Sequence, residues 1–387
     1  MTTKQIHLWP VEPSEQEGQL TVGTYVEMPD GSRVSLWFRL PAEHHPALTR
    51  SSDPFVLGTL FMAMRKAADL VVHGAVSPSL IRSLAEFQEA WWAWKPKTYT
   101  RIEILADELV EQPRAAGDRT IMMFSGGVDA CFTAYRHHHG LCGQLRRDVQ
   151  AGIFVQGFEI PLNRPEIFRQ AEAKSRAMLE SLGMECIPLA TNIKKIGADW
   201  EDEHGLALAS ILSLFQGGYT AGLIANSDTY YDLGTVLPWG SNQVTDHMGS
   251  SDSFAILHDG GGYSRPAKLR LMADWEEMQR NLRVCVLGFR QDGGYEHNCC
   301  RCEKCVRTIL YFRLAGKGLP PAFERDVSDW QVMKTFVPIR GKLNDVQDML
   351  RMAHELRIRA SWVNALRVSY AASNLRLGLK NVIKTAK

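Results

Sequence analysis

Two patterns of apolar spacing divide the chain. Over residues 1–40 apolar and polar positions alternate, as in "LTVGTYVEM" and "RVSLWFRL", with Pro-Asp-Gly-Ser between the two runs. A period of two predicts strands with one buried face, and the turn residues join these runs as a hairpin. Residues 54–71 and 77–94 are spaced as helices, the second stopped by Lys95-Pro96. A strand across "YTRIEILADEL" follows, then the charged, turn-like "EQPRAAGDR" at 111–119, the natural boundary. Residues 1–110 thus read as a small α/β domain.

From residue 120 strands and helices alternate, the pattern of a parallel sheet with crossover helices. "TIMMF", "QAGIFVQGF", "MECIPLA" and "AGLIANS" read as strands. "GGVDACFTAYRHH", "RPEIFRQAEAKSRAMLESLG" and "HGLALASILSLFQGGY" read as the helices between them. A Gly/Ser/Asp-rich loop is expected over 232–264, a length that in a compact domain marks a functional or mobile segment. "PAKLRLMADWEEMQRNL" reads as one helix and "RVCVLGF" as a strand, and beyond 315 the chain reads as helical to its end. The fold class expected is a doubly wound, mostly parallel α/β sheet over 118–315, with the α/β domain before it and a helical extension over 316–387.

Composition narrows the classes. The 387 residues are 45% hydrophobic with a formal net charge of +1, which provides for a core and excludes a globally polyanion-seeking chain. No apolar run reaches the length of a signal peptide or membrane span, so a soluble, cytoplasmic protein is expected. Four of the eight cysteines crowd into 299–305, which in an intracellular protein points to metal rather than disulfide.

"FSGGVDA" places two glycines between the end of a buried strand and the start of a helix. Glycines let a backbone approach a ligand, and the helix N-terminus adds unpaired N–H groups and a positive dipole. Together they form an anion cradle, although an ordinary βα turn also uses such glycines. Ser125 can donate a hydroxyl, and Asp129 can hold Mg2+ or cap amides. The Gly-Lys-Ser/Thr ending of a Walker loop is missing.

"SGGVDA" resembles the SGGxDS motif of the PP-loop ATP pyrophosphatases, which bind the pyrophosphate end of ATP and cleave between the α and β phosphates. The resemblance implies that Ser125, Gly126, Gly127, Val128 and Asp129 form this loop, with Ala130 where the family has serine. It places Val155 and Gln156, at the end of the next strand, beside the adenine.

Cys285 is followed by Cys299-x2-Cys302-x2-Cys305, a spacing that suits a closed, structural, tetrahedral Zn2+ site; an iron–sulfur cluster or a redox pair also uses such cysteines. Cys300 falls out of register, and Cys131, Cys142 and Cys186 remain unassigned. Lys304 and Arg307 are left beside the site, free to face an anion. With the glycine loop, this C-x13-C-x2-C-x2-C spacing resembles the 7-cyano-7-deazaguanine synthase family over about residues 120–312. "NSDTYYD" and "YSRPAKLRLM" belong to the likeness, and Lys268 resembles a lysine of that family's helix before the zinc site. The resemblance implies ATP, Mg2+ and Zn2+ as cofactors, and catalytic roles for Ser125, Asp129 and Lys268. It implies an acceptor that is a carboxylate or nucleobase-like small molecule, or a protein or peptide. The acceptor is adenylylated and then attacked by a nitrogen nucleophile. Sulfur insertion, as in tRNA thiolases of the superfamily, and a degenerate ATP-binding sensor or scaffold are the alternatives.

Other stretches carry weaker signals. Asp246, His247, Asp252, His258, Asp259 and Arg265 suit a substrate lid, with His247 or His258 for proton transfer, or a solvated loop. "HHH" at 137–139 suits a helix C-terminus or, less well, a metal. "WWAW" at 91–94 suits the core. The tail 356–387 carries seven Lys/Arg and no Asp/Glu, with Leu366, Tyr370, Leu377 and Ile383 in one stripe. That suits a packed helix with a basic outer face, or contact with RNA, a partner or a membrane surface. A homodimer is also compatible with the sequence.

Overall fold

The structure is a computed structural model that describes residues 4–285, 298–335 and 340–385. The first strands are β1 (Lys4–Gln16), β2 (Gln19–Glu27) and β3 (Arg33–Pro41), with β2 and β3 forming the expected hairpin. Helix α1 (Asp53–Lys66) has proline in its first turn and ends where Ala67 turns to φ 47°. Strand β4 (Ala68–Val76) follows, so the helix expected to reach residue 71 stops five residues short. The left-handed residue breaks the helix, and the alternating "ADLVVHGAV" then pairs parallel to β1. Helix α2 (Pro78–Trp94) and strand β5 (Ile104–Leu109) complete this part.

The central strands β6 (Arg119–Met123), β7 (Asp148–Gln156), β8 (Glu185–Thr191) and β9 (Ala221–Ala225) alternate with α3 (Val128–His138), α4 (Pro165–Glu180) and α5 (Trp200–Ser213). Residues 232–264 are no open loop. They hold the one-turn α6 (Leu233–Val236) and β10 (Ala255–Asp259), which pairs parallel to β9 at the sheet edge. The expected helix over 266–282 is two, α7 (Arg265–Met272) and α8 (Glu276–Asn281), because Trp275 is extended between them. Residues 283–285 are not strand, and the rest of the "RVCVLGF" strand lies outside the described residues. Helices α9 (Glu303–Leu314), α10 (Asp329–Lys334), α11 (Arg340–Glu355) and α12 (Ser361–Thr385) follow.

All ten strands among the described residues form one sheet, in the order β10-β9-β6-β7-β8-β3-β2-β1-β4-β5. The class is α/β with a large, mostly parallel sheet; only the β8-β3-β2-β1 pairings are antiparallel. One core packs α3, α4 and the C-terminal helices on one face; the other packs α1, α2 and α5 on the opposite face. The second core draws on residues from both sides of the 111–119 segment, among them Leu36, Phe38, Ile121 and Ile187.

The topology locates a site. From β6 the chain moves outward through β7 and β8, then returns to lay β9 and β10 on the other side of β6. Beyond the C-terminal end of β6 the connections diverge, leaving a crevice at this switch point. The glycine loop begins there.

Gly157, just after β7, is at φ 109°, and a Cβ on it would lie 1.9 Å from the Thr191 carbonyl oxygen. Gly157→Ala is expected to lower stability by about 2–4 kcal/mol. Gly183→Ala meets nothing within 4 Å and carries only left-handed strain, about 1 kcal/mol. Urea unfolding of both variants checks the difference.

Candidate functional site: a glycine loop over a buried cation pair

The loop follows β6 directly. Ser125 is exposed, Gly126 is at φ 72°, and Gly127 leads into α3 with no side-chain cap, so amides of the first turn have no side chain closing over them. A Cβ at Gly126 would press to 3.2 Å from Ser175 Oγ. The Gly127 N–H donates to Ser125 Oγ at 3.3 Å. Arg283, which the sequence reading passed over, braces the loop through its carbonyls. Its backbone N–H donates to the Gly126 carbonyl at 2.9 Å, and its Nη2 donates to the Ser125 carbonyl at 2.9 Å.

Asp129 lies in the first turn of α3, between two cations from α7. Lys268 Nζ donates to Oδ1 at 2.8 Å and Arg265 Nε to Oδ2 at 3.0 Å. Lys268 is 1% exposed and gives a second bond, of 2.5 Å, to the Asn226 carbonyl at the end of β9. Burial opposes a charge on Asp129, but Arg265 and Lys268 outweigh it and hold the carboxyl below its ordinary range. The structure therefore brings together Ser125, Gly126, Gly127, Asp129 and Lys268; Val128 is buried in the core beneath them.

In front of the loop is a cleft of about 300 Å³. Ser125, Asp129, Ala130, Val155, Phe158, Trp200, His204, Ile224 and Arg283 are among the residues that line it. Val155 therefore faces the cleft. Gln156 does not line it, because its side-chain amide donates to the carbonyls of Pro161 and Leu162. Trp200 and His204, one turn apart at the start of α5, escaped the sequence reading; their spacing was the available signal. Burial keeps the His204 pKa below its ordinary value. Nδ1 lies 3.0 Å from the Trp200 carbonyl, and Nε2 accepts the Ser241 N–H at 3.2 Å.

The lid expectation for 232–264 is not met. Asp246 and His258 are fixed beside β9: His258 Nδ1 lies 2.5 Å from Asp246 Oδ2 and Nε2 lies 2.7 Å from Asn226 Oδ1. Asp259 is turned to Thr133, His137 and Arg136. Asp252 faces Arg82 on the surface, and His247 is exposed on a short turn outside the cleft. Arg265 is part of the cation pair. Of "HHH", His137 is buried on Asp259, and none of the three belongs to a metal-binding group among the described residues. Trp91 is core, Trp92 lies under Arg101, and Leu366 and Tyr370 of α12 pack on the first core. The Ile383 side chain lies outside the description. No helix among the described residues is long and apolar enough to cross a membrane.

Cys285, Cys299, Cys302 and Cys305 converge, with all four sulfurs within 4.8 Å of one another. They form a possible metal-binding site, whose all-sulfur donor set suits zinc. Cys300 turns away at φ 55° with its sulfur on the Asn298 carbonyl. Asn298 was not foreseen. Its Oδ1 accepts the N–H groups of Val284 and Cys285, and its Nδ2 donates to the carbonyls of Leu282 and Ala322. One side chain thus ties the two cysteine-bearing segments together. Arg307 is not free to face an anion, being paired with Glu303 and Asp345. Lys304 does not line the cleft.

Comparison with known proteins finds nothing: no family model, no curated protein and no solved structure matches the chain.

Asp129→Asn leaves Lys268 and Arg265 without their shared counter-charge, and is expected to cost about 3–5 kcal/mol. The depressed pKa makes the Asp129 contribution complete above its unfolded value, 3.8, and lost as pH falls through the lower folded value. Stability of the variant, measured by denaturant titration, should therefore fall less steeply than wild type below about pH 4.

Proposed function

We propose that the protein is an ATP-dependent ligase of the PP-loop type, one that adenylylates a carboxylate or amide acceptor and joins it to nitrogen. The observation that carries this reading is the uncapped glycine loop, which opens onto a cleft at the sheet's switch point with Lys268 and Arg265 behind it. ATP would place its pyrophosphate end on residues 125–129 and its adenine toward Val155. Backbone N–H groups of the loop and the Ser125 hydroxyl would stabilise the charge that grows on the departing pyrophosphate. An acceptor oxygen attacks the α-phosphorus; the new O–P bond forms as the bond to the bridging oxygen breaks and pyrophosphate leaves. Ammonia or an amine then attacks the activated carbon and AMP departs, leaving an amide or a conjugate; from an adenylylated amide, departure of AMP with loss of the remaining N–H proton leaves a nitrile.

Both oxygens of Asp129 are engaged by cations, so the carboxylate does not fit the part of direct Mg2+ ligand, and no step is assigned to that ion. The part that fits Asp129 is to hold Lys268 and Arg265 charged beneath the loop. The four cysteines fit a structural Zn2+ with no open position; bound there, the ion would tie Cys285 to the 299–305 segment and supply no reactive group. Sulfur transfer is less well supported. Burial pushes the Cys131 thiol well above its ordinary value and that of Cys186 to about 12. Cys142 lies beyond the far end of α3 from the loop.

With ATP, Mg2+, ammonium and a metabolite extract, the wild type should yield AMP and pyrophosphate, and a Ser125→Ala/Asp129→Ala variant should yield neither, as read by mass spectrometry of the nucleotides. ADP as product would overturn the proposal, and tight ATP binding without cleavage would favour a sensor or scaffold. Elemental analysis should find one zinc per chain. Cys302→Ser should reduce that content and lower the unfolding temperature by several degrees.

A further inference from the structure

The cation pair beneath the glycine loop does not end at Asp129. Arg265 gives its Nε to Asp129 but its Nη1 to Asp345 Oδ2, at 3.2 Å. Asp345 is on α11, in the helical extension that follows α9. The same oxygen accepts Arg307 Nη1 at 2.8 Å and the Tyr311 hydroxyl at 3.3 Å, both from α9. Arg307 closes the chain on Glu303, at 2.7 Å. Its side chain is 5% exposed and that of Asp345 13%, so solvent screens these charges poorly.

The charges sum in a telling way. Lys268, Arg265 and Arg307 face Asp129, Asp345 and Glu303, and the network is neutral as a whole. Without Asp345 it would carry one net positive charge next to the loop. The α11 helix that brings this carboxylate is held by Leu343, Val346 and Met349 in the core, and by Asn344 donating to Asp232.

We propose that Asp345 is a positioning residue of the nucleotide site. It holds one arm of Arg265 away from the loop and sets how strongly the site attracts polyphosphate. The inference rests on the reading of the cleft as an ATP site and adds to it a component from the C-terminal extension. A residue acting through charge must affect ligands in proportion to their charge, which a purely structural residue does not do. Asp345→Asn keeps oxygen and shape but removes the charge. It should tighten ATP binding by tenfold or more at low salt, about tenfold being the effect of one unit charge on each unit of ligand charge at roughly 10 Å through an effective dielectric of about 20. The gain should shrink from ATP through ADP to AMP and fade at high salt.

The test is isothermal titration of ATP, ADP and AMP into the full-length wild type, Asp345→Asn, Asp345→Glu and Arg265→Gln, at low and high salt. Asp345→Glu, which keeps the charge, should bind as wild type does. Arg265→Gln should show the opposite sign, ATP weakened most and AMP least; it carries the test alone if Asp345→Asn does not fold. Equal changes for the three nucleotides, or no change, would overturn the proposal while leaving the ATP site standing. A wild type that binds none of the three would overturn the ATP reading and this inference with it.

Discussion

A buried lysine needs a counter-charge, and much of this site follows from how that need is met. Lys268 is almost wholly removed from water, and an unpaired ammonium there would cost several kcal/mol. Its partners come from two places, the Asp129 carboxylate on α3 and the Asn226 carbonyl at the end of β9. Satisfying them fixes α7 against the first turn of α3 and against the strand across the crevice. The glycine loop is thereby held between two elements that cannot shift independently. The same pairing favours the ionised form of Asp129 and sets two cations, balanced by carboxylates, behind the glycine loop.

The constraint propagates outward. Arg265 extends it to Asp345, and Asp345 to Arg307 on the helix that carries Cys305. Arg283 extends it in the other direction, since it braces the loop with both backbone and side chain and stands two residues before Cys285. Loop, cysteine cluster and C-terminal helices are therefore one connected polar assembly. Asn298, which bonds four backbone groups inside the core, plays for the cysteine segments the part that Lys268 plays for the loop.

Most of the sheet could be read in advance because its strands are short apolar runs bounded by turn residues, as in "TIMMF" before Ser-Gly-Gly. The first four residues of β4 run on from a helical pattern, and β10 is a five-residue strand within a Gly/Ser/Asp-rich stretch, too short to establish a period. Partners decide such segments: β4 lies between β1 and β5, and β10 against β9. The polar residues of 232–264 looked like a lid for the same reason. Asp246 and His258 have the composition of a surface loop, yet a buried hydrogen-bond chain to Asn226 takes them up.

What the sequence determined by itself was local chemistry. It placed a glycine-rich loop at the junction of strand and helix, and four sulfurs at a spacing that lets one turn gather three of them. The role of backbone and ligand spacing is carried by adjacent residues and needs no fold to be visible. Which charges meet was decided only by the tertiary structure. Asp129, Arg265 and Asp345 are scattered across more than half the chain, and the pairing of one arginine between two carboxylates depends on how α3, α7 and α11 pack. Nothing in their separate sequence contexts encodes that meeting, because electrostatic partners are chosen by distance in space and by the exclusion of water around them.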